Sequence, residues 1–105
     1  MQIQINTDKN ISGKGALAQS VEDILRSDLS HFSEQITRIE VHLSDENSLA
    51  KSGVTDKRCL LEVRLAGERP IAISEQAETV EEAVAGASQQ MINLLETELD
   101  KHGKR

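Results

Sequence analysis

The sequence predicts an α+β fold in the order β-α-β-β-β-α, with a four-stranded mixed sheet and two helices packed on one face. Apolar and polar residues alternate along two segments between Ile36 and Leu65, as in strands with one buried side. Two longer segments repeat apolar residues every three or four positions, as amphipathic helices do. Because each element has one apolar side, two layers are enough to bury all of them.

The chain begins with a short predicted strand, QIQIN, in which Ile3 and Ile5 alternate with polar residues. A polar connection over residues 7–15 follows, and Ser12 is a candidate N-cap for the first helix. We expect this helix to run from about Gly13 to about Phe32. Its apolar stripe consists of Leu17, Val21, Ile24, Leu25, Leu29 and Phe32.

Two strands joined by a polar loop form the centre of the predicted sheet. The loop, residues 44–56, is longer than the usual two to five residues of a hairpin loop, and its composition indicates mobility. The strand that begins at Ile36 should be connected to the N-terminal strand by a right-handed crossover. That connection makes the two strands parallel neighbours. The residues expected on the buried face are Ile39, Val41, Leu43, Cys59, Leu61, Val63 and Leu65.

A turn with Gly67 and Pro70 leads to a fourth strand, expected over Ile71–Ser74 or slightly longer. The second helix should run from about Val80 to about Lys101, after a capping box formed by Thr79 and Glu82. Its apolar stripe consists of Val80, Val84, Ala87, Met91, Leu94, Leu95 and Leu99.

Within that helix, Gly86 is either a weak point or a place of close packing. We expect one α+β domain over residues 1–101 and a frayed tail over residues 102–105.

Composition narrows the classes of function. The net charge is −6, and the chain has one Phe and no Trp or Tyr. Recognition of single-stranded nucleic acid by base stacking is therefore disfavoured. Cys59 cannot form an internal disulfide and is expected in the core. A single thiol, without a signal peptide or a membrane-spanning run, indicates a cytoplasmic protein with no membrane partner.

The sequence contains no catalytic signature. Gly13-Lys14-Gly15 is too short for a phosphate-binding loop, and no nucleophile elbow is present. A metal site built from His42, Asp45 and Glu46 is conceivable, but the ligand spacing is unspecific. We therefore expect no enzyme activity, no catalytic residue, no metal, no cofactor and no small-molecule substrate.

The placement of charge is more informative. From Ser74 to Asp100 there are seven acidic residues and no Lys or Arg, so the second helix is acidic. The outer face of the sheet should carry both signs of charge, which either pair across the strands or form a docking surface for a partner. The charged residues on that face are Arg38, Arg58, Arg64, Glu40 and Glu62.

The layout resembles the ribosome hibernation promoting factor and ribosome-associated inhibitor A family, in its short, single-domain form. The resemblance spans nearly the whole chain. It implies a fold like that of double-stranded RNA-binding domains and a place in the messenger and transfer RNA channel of the small ribosomal subunit. Occupying that channel blocks initiation and preserves idle ribosomes under stress. The similar segments are QIQIN, Ala16-Leu17 with Val21, HFSEQITRIEVHLSDEN and IAISEQAETVEEAV.

Members of that family place many Lys and Arg residues on the helices and at the end of the last helix, whereas SQQMINLLETELD has none. An alternative is therefore a non-enzymatic protein-interaction module on the same fold, without RNA binding. The partner that the resemblance implies is the small subunit, with its rRNA and proteins, and the chain would be a monomer or a weak homodimer. The candidate RNA-binding residues are Arg26, Arg38, Arg58, Arg64, Lys101, Lys104 and Arg105.

Overall fold

A computed structural model describes residues 1–9, 11, 14–45 and 57–101, with Lys14, Asp100 and Lys101 described by their backbone alone. The order of elements confirms the predicted β-α-β-β-β-α fold. The elements are β1 (Gln2–Thr7), α1 (Lys14–Asp28), a 3₁₀ turn (Ser30–Phe32), β2 (Ile36–Asp45), β3 (Lys57–Leu65), β4 (Ile71–Ala77) and α2 (Val80–Lys101).

The four strands form one mixed sheet in the order β1-β2-β3-β4. Strands β1 and β2 are parallel, with Ile3 beside Ile39, as the crossover rule predicts. Strands β2 and β3 are antiparallel, as are β3 and β4, so that Leu61 lies between Val41 and Ile73. Because side chains alternate along each strand, this register collects the apolar residues of the strands on one face.

The core lies between that face and the two helices. In the centre of the sheet, Ile39, Val41, Cys59, Leu61 and Val63 are completely buried. Burying one such aliphatic side chain stabilises the fold by about 1.5–3 kcal/mol before entropy is counted. The helices contribute the buried residues Val21, Leu25, Val80, Ala83, Val84, Ala87, Met91 and Leu95, and Leu29 joins them from just after the end of α1.

Helix α1 ends earlier than the sequence predicted. It stops at Asp28, and a 3₁₀ turn continues to Phe32, whose backbone N–H donates to the carbonyl of Leu29. The prediction was wrong because Leu29 and Phe32 are both buried and so extend the apolar spacing past the helix end. A tighter turn also presents residues three apart on one side.

Helix α2 has the predicted bounds, but its buried stripe differs in part. Leu94 is 41% exposed, although it was expected in the stripe, whereas Ala83 and Ser88 are completely buried. The helical angle does not explain this exposure, because at 100° per residue Leu94 points closer to the direction of Val84 and Met91 than the buried Ala83 does. The Thr79 half of the predicted capping box is confirmed, because the N–H of Glu82 donates to Oγ1 of Thr79 over 3.1 Å.

Other predictions meet the structure as follows. Strand β2 includes Ser44 and Asp45, which were expected in the loop, and β4 extends to Ala77. Gly67 has a φ of 75° in the turn before β4, a conformation that favours glycine.

The rest of the loop (residues 46–56), Ser12 with Gly13, and the tail (residues 102–105) lie outside the described residues. Across the described part of the chain, no helix is long and apolar enough to cross a membrane.

Candidate functional site on the open face of the sheet

The sheet face that the helices leave uncovered carries three of the seven candidate residues, Arg38, Arg58 and Arg64. Strand β1 presents Gln4 on this face, strand β2 presents Arg38, Glu40 and His42, and β4 presents Ser74. Strand β3 presents Arg58, Leu60, Glu62 and Arg64. None of these side chains lies on a helix. The alternation of side chains along the strands places all of them on the open face.

Like charges stand opposite each other across β2 and β3. Arg38 is the direct partner of Arg64, and Glu40 is the direct partner of Glu62. The alternative that these charges pair with opposite charges across the strands is therefore wrong for these two residue pairs, although Nζ of Lys57 on β3 lies 3.5 Å from Oδ2 of Asp45 on β2. The buried face determines the register, and in this register the two antiparallel strands present arginine and glutamate in the same order.

Charge compensation instead runs along β2. The guanidinium of Arg38 donates to Oε2 of Glu40, from Nε over 3.0 Å and from Nη2 over 2.8 Å, and it also donates to Oε1 of Gln4. The Arg38 guanidinium holds the pKa of the Glu40 carboxyl below its usual range, and His42 adds a smaller effect in the same direction. Nε2 of His42 lies 3.7 Å from Oε1 of Glu40.

The two residues of β3 that face Arg38 and Glu40 form fewer side-chain contacts. Among the residues that the structure describes, neither the carboxylate of Glu62 nor the guanidinium of Arg64 has an ion pair or a hydrogen bond. Arg64 is exposed and Glu62 is half-buried. The open face thus holds one cation and one anion that are available to a partner or an ion.

Arg58 does not join the other two arginines. It lies six positions from Arg64 on β3, a separation of about 20 Å at about 3.3 Å per residue. Its Nε donates to Oγ of Ser74 over 3.0 Å on the neighbouring strand. The structure therefore brings Arg38 and Arg64 together and places Arg58 towards the other end of the face.

The remaining candidates lie elsewhere. Arg26 is on α1 and forms an exposed ion pair with Glu22, with 2.9 Å between Nη2 and Oε2. Lys101 is the last residue of α2, and its side chain is not described. Lys104 and Arg105 fall outside the described residues. Helix α2 presents exposed glutamates, among them Glu81, Glu82 and Glu96.

Cys59 is on the opposite, buried face of β3, as predicted. Its side chain is completely buried, and burial raises the pKa of the thiol to about 12. A thiol in this state is a poor nucleophile and a poor metal ligand at neutral pH, because both roles require the thiolate.

One group of potential metal ligands exists among the described residues: Glu40, His42 and Glu62, whose ligand atoms all lie within 4.8 Å of one another. Sequence reasoning considered His42 only with Asp45 and Glu46. The alternation of β2 could have paired His42 with Glu40, but Glu62 becomes a neighbour only through the register of β2 and β3.

A known protein family matches nearly the whole chain. A family model described as sigma 54 modulation protein / S30EA ribosomal protein matches residues 3–104, which confirms the resemblance seen in the sequence. No curated protein matches closely enough to count as a relative.

Two solved structures have a similar fold. One is a ribosomal subunit interface protein from Coxiella burnetii, with a TM-score of 0.69 and 19% identity, covering 100% of both chains. The other is the N-terminal domain of Protein Y from Thermus thermophilus, with a TM-score of 0.68 and 22% identity, covering 97% of this chain and 99% of that chain. The likeness confirms the predicted fold class.

Proposed function

This chain belongs to the sigma 54 modulation protein / S30EA ribosomal protein family, and from that premise we propose that it is a ribosome-associated, hibernation-factor-like protein. It binds the small ribosomal subunit in the cytoplasm and modulates translation under stress, as a non-enzymatic monomer or weak homodimer. The family match over residues 3–104 is the observation that carries this proposal. The names of the two similar structures, a subunit interface protein and Protein Y, support it.

The contact surface in this proposal is the open sheet face together with the end of α2. Phosphate contacts come from Lys and Arg side chains. Arg64 is exposed and has no partner among the described residues, so it can bind phosphate without breaking an internal contact. Arg38 would exchange its contact with Glu40 for one with RNA. Lys101, Lys104 and Arg105 add a basic end to the chain.

Co-sedimentation with purified small subunits over a series of salt concentrations tests the proposal. We expect the chain to pellet with the subunits at low salt and to be released as salt rises, because phosphate contacts weaken when counterions compete. Failure to pellet with the subunits at low salt would contradict the proposal.

Substitutions then locate the contact surface. We expect two variants to bind more weakly: one in which both Arg38 and Arg64 are replaced by Gln, and one in which Lys101, Lys104 and Arg105 are replaced by Ala. In each variant, the slope of the salt dependence should fall by about one unit per lost phosphate contact. Arg69→Gln is the matched control, because Arg69 is exposed in the turn outside the proposed surface. An equal loss with Arg69→Gln would show a nonspecific effect of charge.

The acidity of the helices favours a second function, a protein-interaction module that binds a basic protein. The stretch from Ser74 to Asp100 holds seven acidic residues without a Lys or Arg, and Glu81, Glu82 and Glu96 are exposed. Replacing these three glutamates by Gln separates the two functions. If the helices bind a basic protein, binding falls, whereas if the chain binds rRNA through its arginines, binding rises because repulsion of phosphate is reduced.

A further inference from the structure

We propose that Glu40, His42 and Glu62 form a binding site for a divalent transition metal ion on the open face of the sheet, with Zn²⁺ as the best-fitting ion. The three side chains offer one imidazole nitrogen and two carboxylate oxygens. This inference does not rest on the proposed function, since the ion would bind the isolated chain.

The backbone brings the three ligands to one place. Glu40 and His42 are two residues apart on β2 and so lie on the same face, and the register places Glu62 directly opposite Glu40. Their ligand atoms lie within 4.8 Å of one another, and Nε2 of His42 is already 3.7 Å from Oε1 of Glu40. With bonds of about 2.0–2.2 Å, tetrahedral ligands are about 3.4 Å apart. Small side-chain rotations therefore close the site.

The charges around the site favour a cation between the two carboxylates. Glu40 and Glu62 face each other, and like charges at directly opposite positions destabilise a sheet. Arg38 compensates Glu40 through Oε2 only, which leaves Oε1 on the side of His42. Glu62 has no ion pair among the described residues. An ion bound to all three ligands would relieve the repulsion and engage Glu62.

Arg38 also acts as an orienting group. Its two hydrogen bonds to Oε2 fix the orientation of the Glu40 carboxylate, as the outer hydrogen-bond partners of metal ligands do. The guanidinium of Arg38, 2.8 Å from Oε2 of Glu40, opposes a cation bound at Oε1, and Arg64 stands beside it at the next residue pair along the strands. The coordinating carboxylates are in direct contact with the ion, so their attraction dominates.

The donor set determines the class of ion. Imidazole nitrogen suits Zn²⁺, Cu²⁺ and Ni²⁺ better than Mg²⁺ or Ca²⁺, which prefer oxygen ligands. Three protein ligands leave the fourth tetrahedral position of Zn²⁺ open to water or to a donor from a partner. The side chain of His42 is 45% exposed, so an ion can enter from solvent.

Calorimetric titration of the untagged, chelator-treated full chain with Zn²⁺ tests this site. We expect one ion to bind per chain, and we expect His42→Ala and Glu62→Gln each to lower the affinity by at least about tenfold. His31→Ala is the matched control, because His31 is an exposed histidine on the 3₁₀ turn and should leave binding unchanged. Arg64→Gln should raise the affinity, since it removes a nearby positive charge.

Two-dimensional ¹H–¹⁵N NMR provides a second readout. In the wild-type chain, Zn²⁺ should shift the signals of β2 and β3 around His42 and Glu62, while unchanged signals from the helices would show that the fold is retained. The absence of saturable Zn²⁺ binding, equal affinity in the His42→Ala and Glu62→Gln variants, or shifts confined to another part of the chain would each overturn the proposal.

Discussion

The hydroxyl of Ser88 donates a hydrogen bond of 2.6 Å to Oδ2 of Asp28 and thereby joins the end of α1 to the middle of α2. Ser88 is completely buried, whereas Asp28 is half-buried. A hydrogen bond to a charged partner in such a position is stronger than one between neutral groups. This contact helps to set the position of the two helices over the sheet.

Ser88→Ala should therefore lower the free energy of unfolding by about 1.5–3 kcal/mol, because the half-buried carboxylate of Asp28 loses its partner. Urea unfolding followed by circular dichroism measures this change. Gln89→Ala is the control, since Gln89 is the exposed neighbour on the same helix, and it should change the free energy by no more than about 0.5 kcal/mol. Equal stability of the Ser88→Ala and wild-type chains would mean that water replaces the contact without cost.

The register of β3 predicts opposite outcomes for two adjacent residues. Val63→Asp puts an unpaired carboxylate into the core beneath the helices and should unfold the chain, because this cost is comparable with a total stability of about 5–15 kcal/mol. Arg64→Asp should be tolerated, since Arg64 is exposed and lies opposite Arg38. Thermal unfolding of both variants checks this pair, and equal damage would refute the register.

The ion pair between Arg38 and Glu40 predicts a pH dependence. The pKa of Glu40 is lower in the folded chain than its ordinary value of 4.5, mainly because Arg38 hydrogen-bonds the carboxylate. The pair therefore stabilises the fold above that ordinary value, and its contribution is lost as the pH falls through the folded-state pKa. NMR titration of the Glu40 side-chain carboxyl should show the pKa rising towards 4.5 in Arg38→Gln. The pKa should stay unchanged in Arg69→Gln, and an unchanged pKa in Arg38→Gln would contradict the assignment.

Gly86 packs closely against β4, which explains its place within a helix. A Cβ at this position would lie 3.0 Å from Cγ of Glu75, whose Oε1 accepts a hydrogen bond from Gln90. Replacing Gly by Ala inside a helix stabilises it by about 1 kcal/mol when space is available. Gly86→Ala should give that full gain in a Glu75→Ala chain and a smaller gain in the wild type. Urea unfolding of the four chains measures the difference, and equal gains would show that Glu75 moves aside freely.

The fold was largely predictable because each element carries its own periodic signal. Ile39, Val41 and Leu43 alternate with polar residues, and Val84, Ala87 and Met91 repeat at helical spacing, so local patterns identified both element type and buried face. The errors came where apolar spacing continues although the structure changes. Phe32 continues the spacing of α1 through a 3₁₀ turn, and Leu94 has the spacing of the buried stripe but is exposed.

The candidate site was predictable only in part. The alternation in the sequence placed Arg38, Arg58 and Arg64 on the outer face, and the structure agrees. The sequence also left open that opposite charges on this face pair across the strands, but Arg38 is compensated along β2 by Glu40. The contact between Ser88 and Asp28 left no signal in the sequence, because neither residue belongs to an apolar stripe.

By itself, the sequence determined the order of the elements, their buried faces and the family, because these depend on patterns within short segments. Only the tertiary structure decided which residues face each other. The partners Arg38 and Arg64, and Glu40 and Glu62, are more than twenty positions apart in the chain, and the register that unites them follows from packing of the opposite face. The same register brings His42 to the two glutamates, so the proposed metal site depends on the packed sheet.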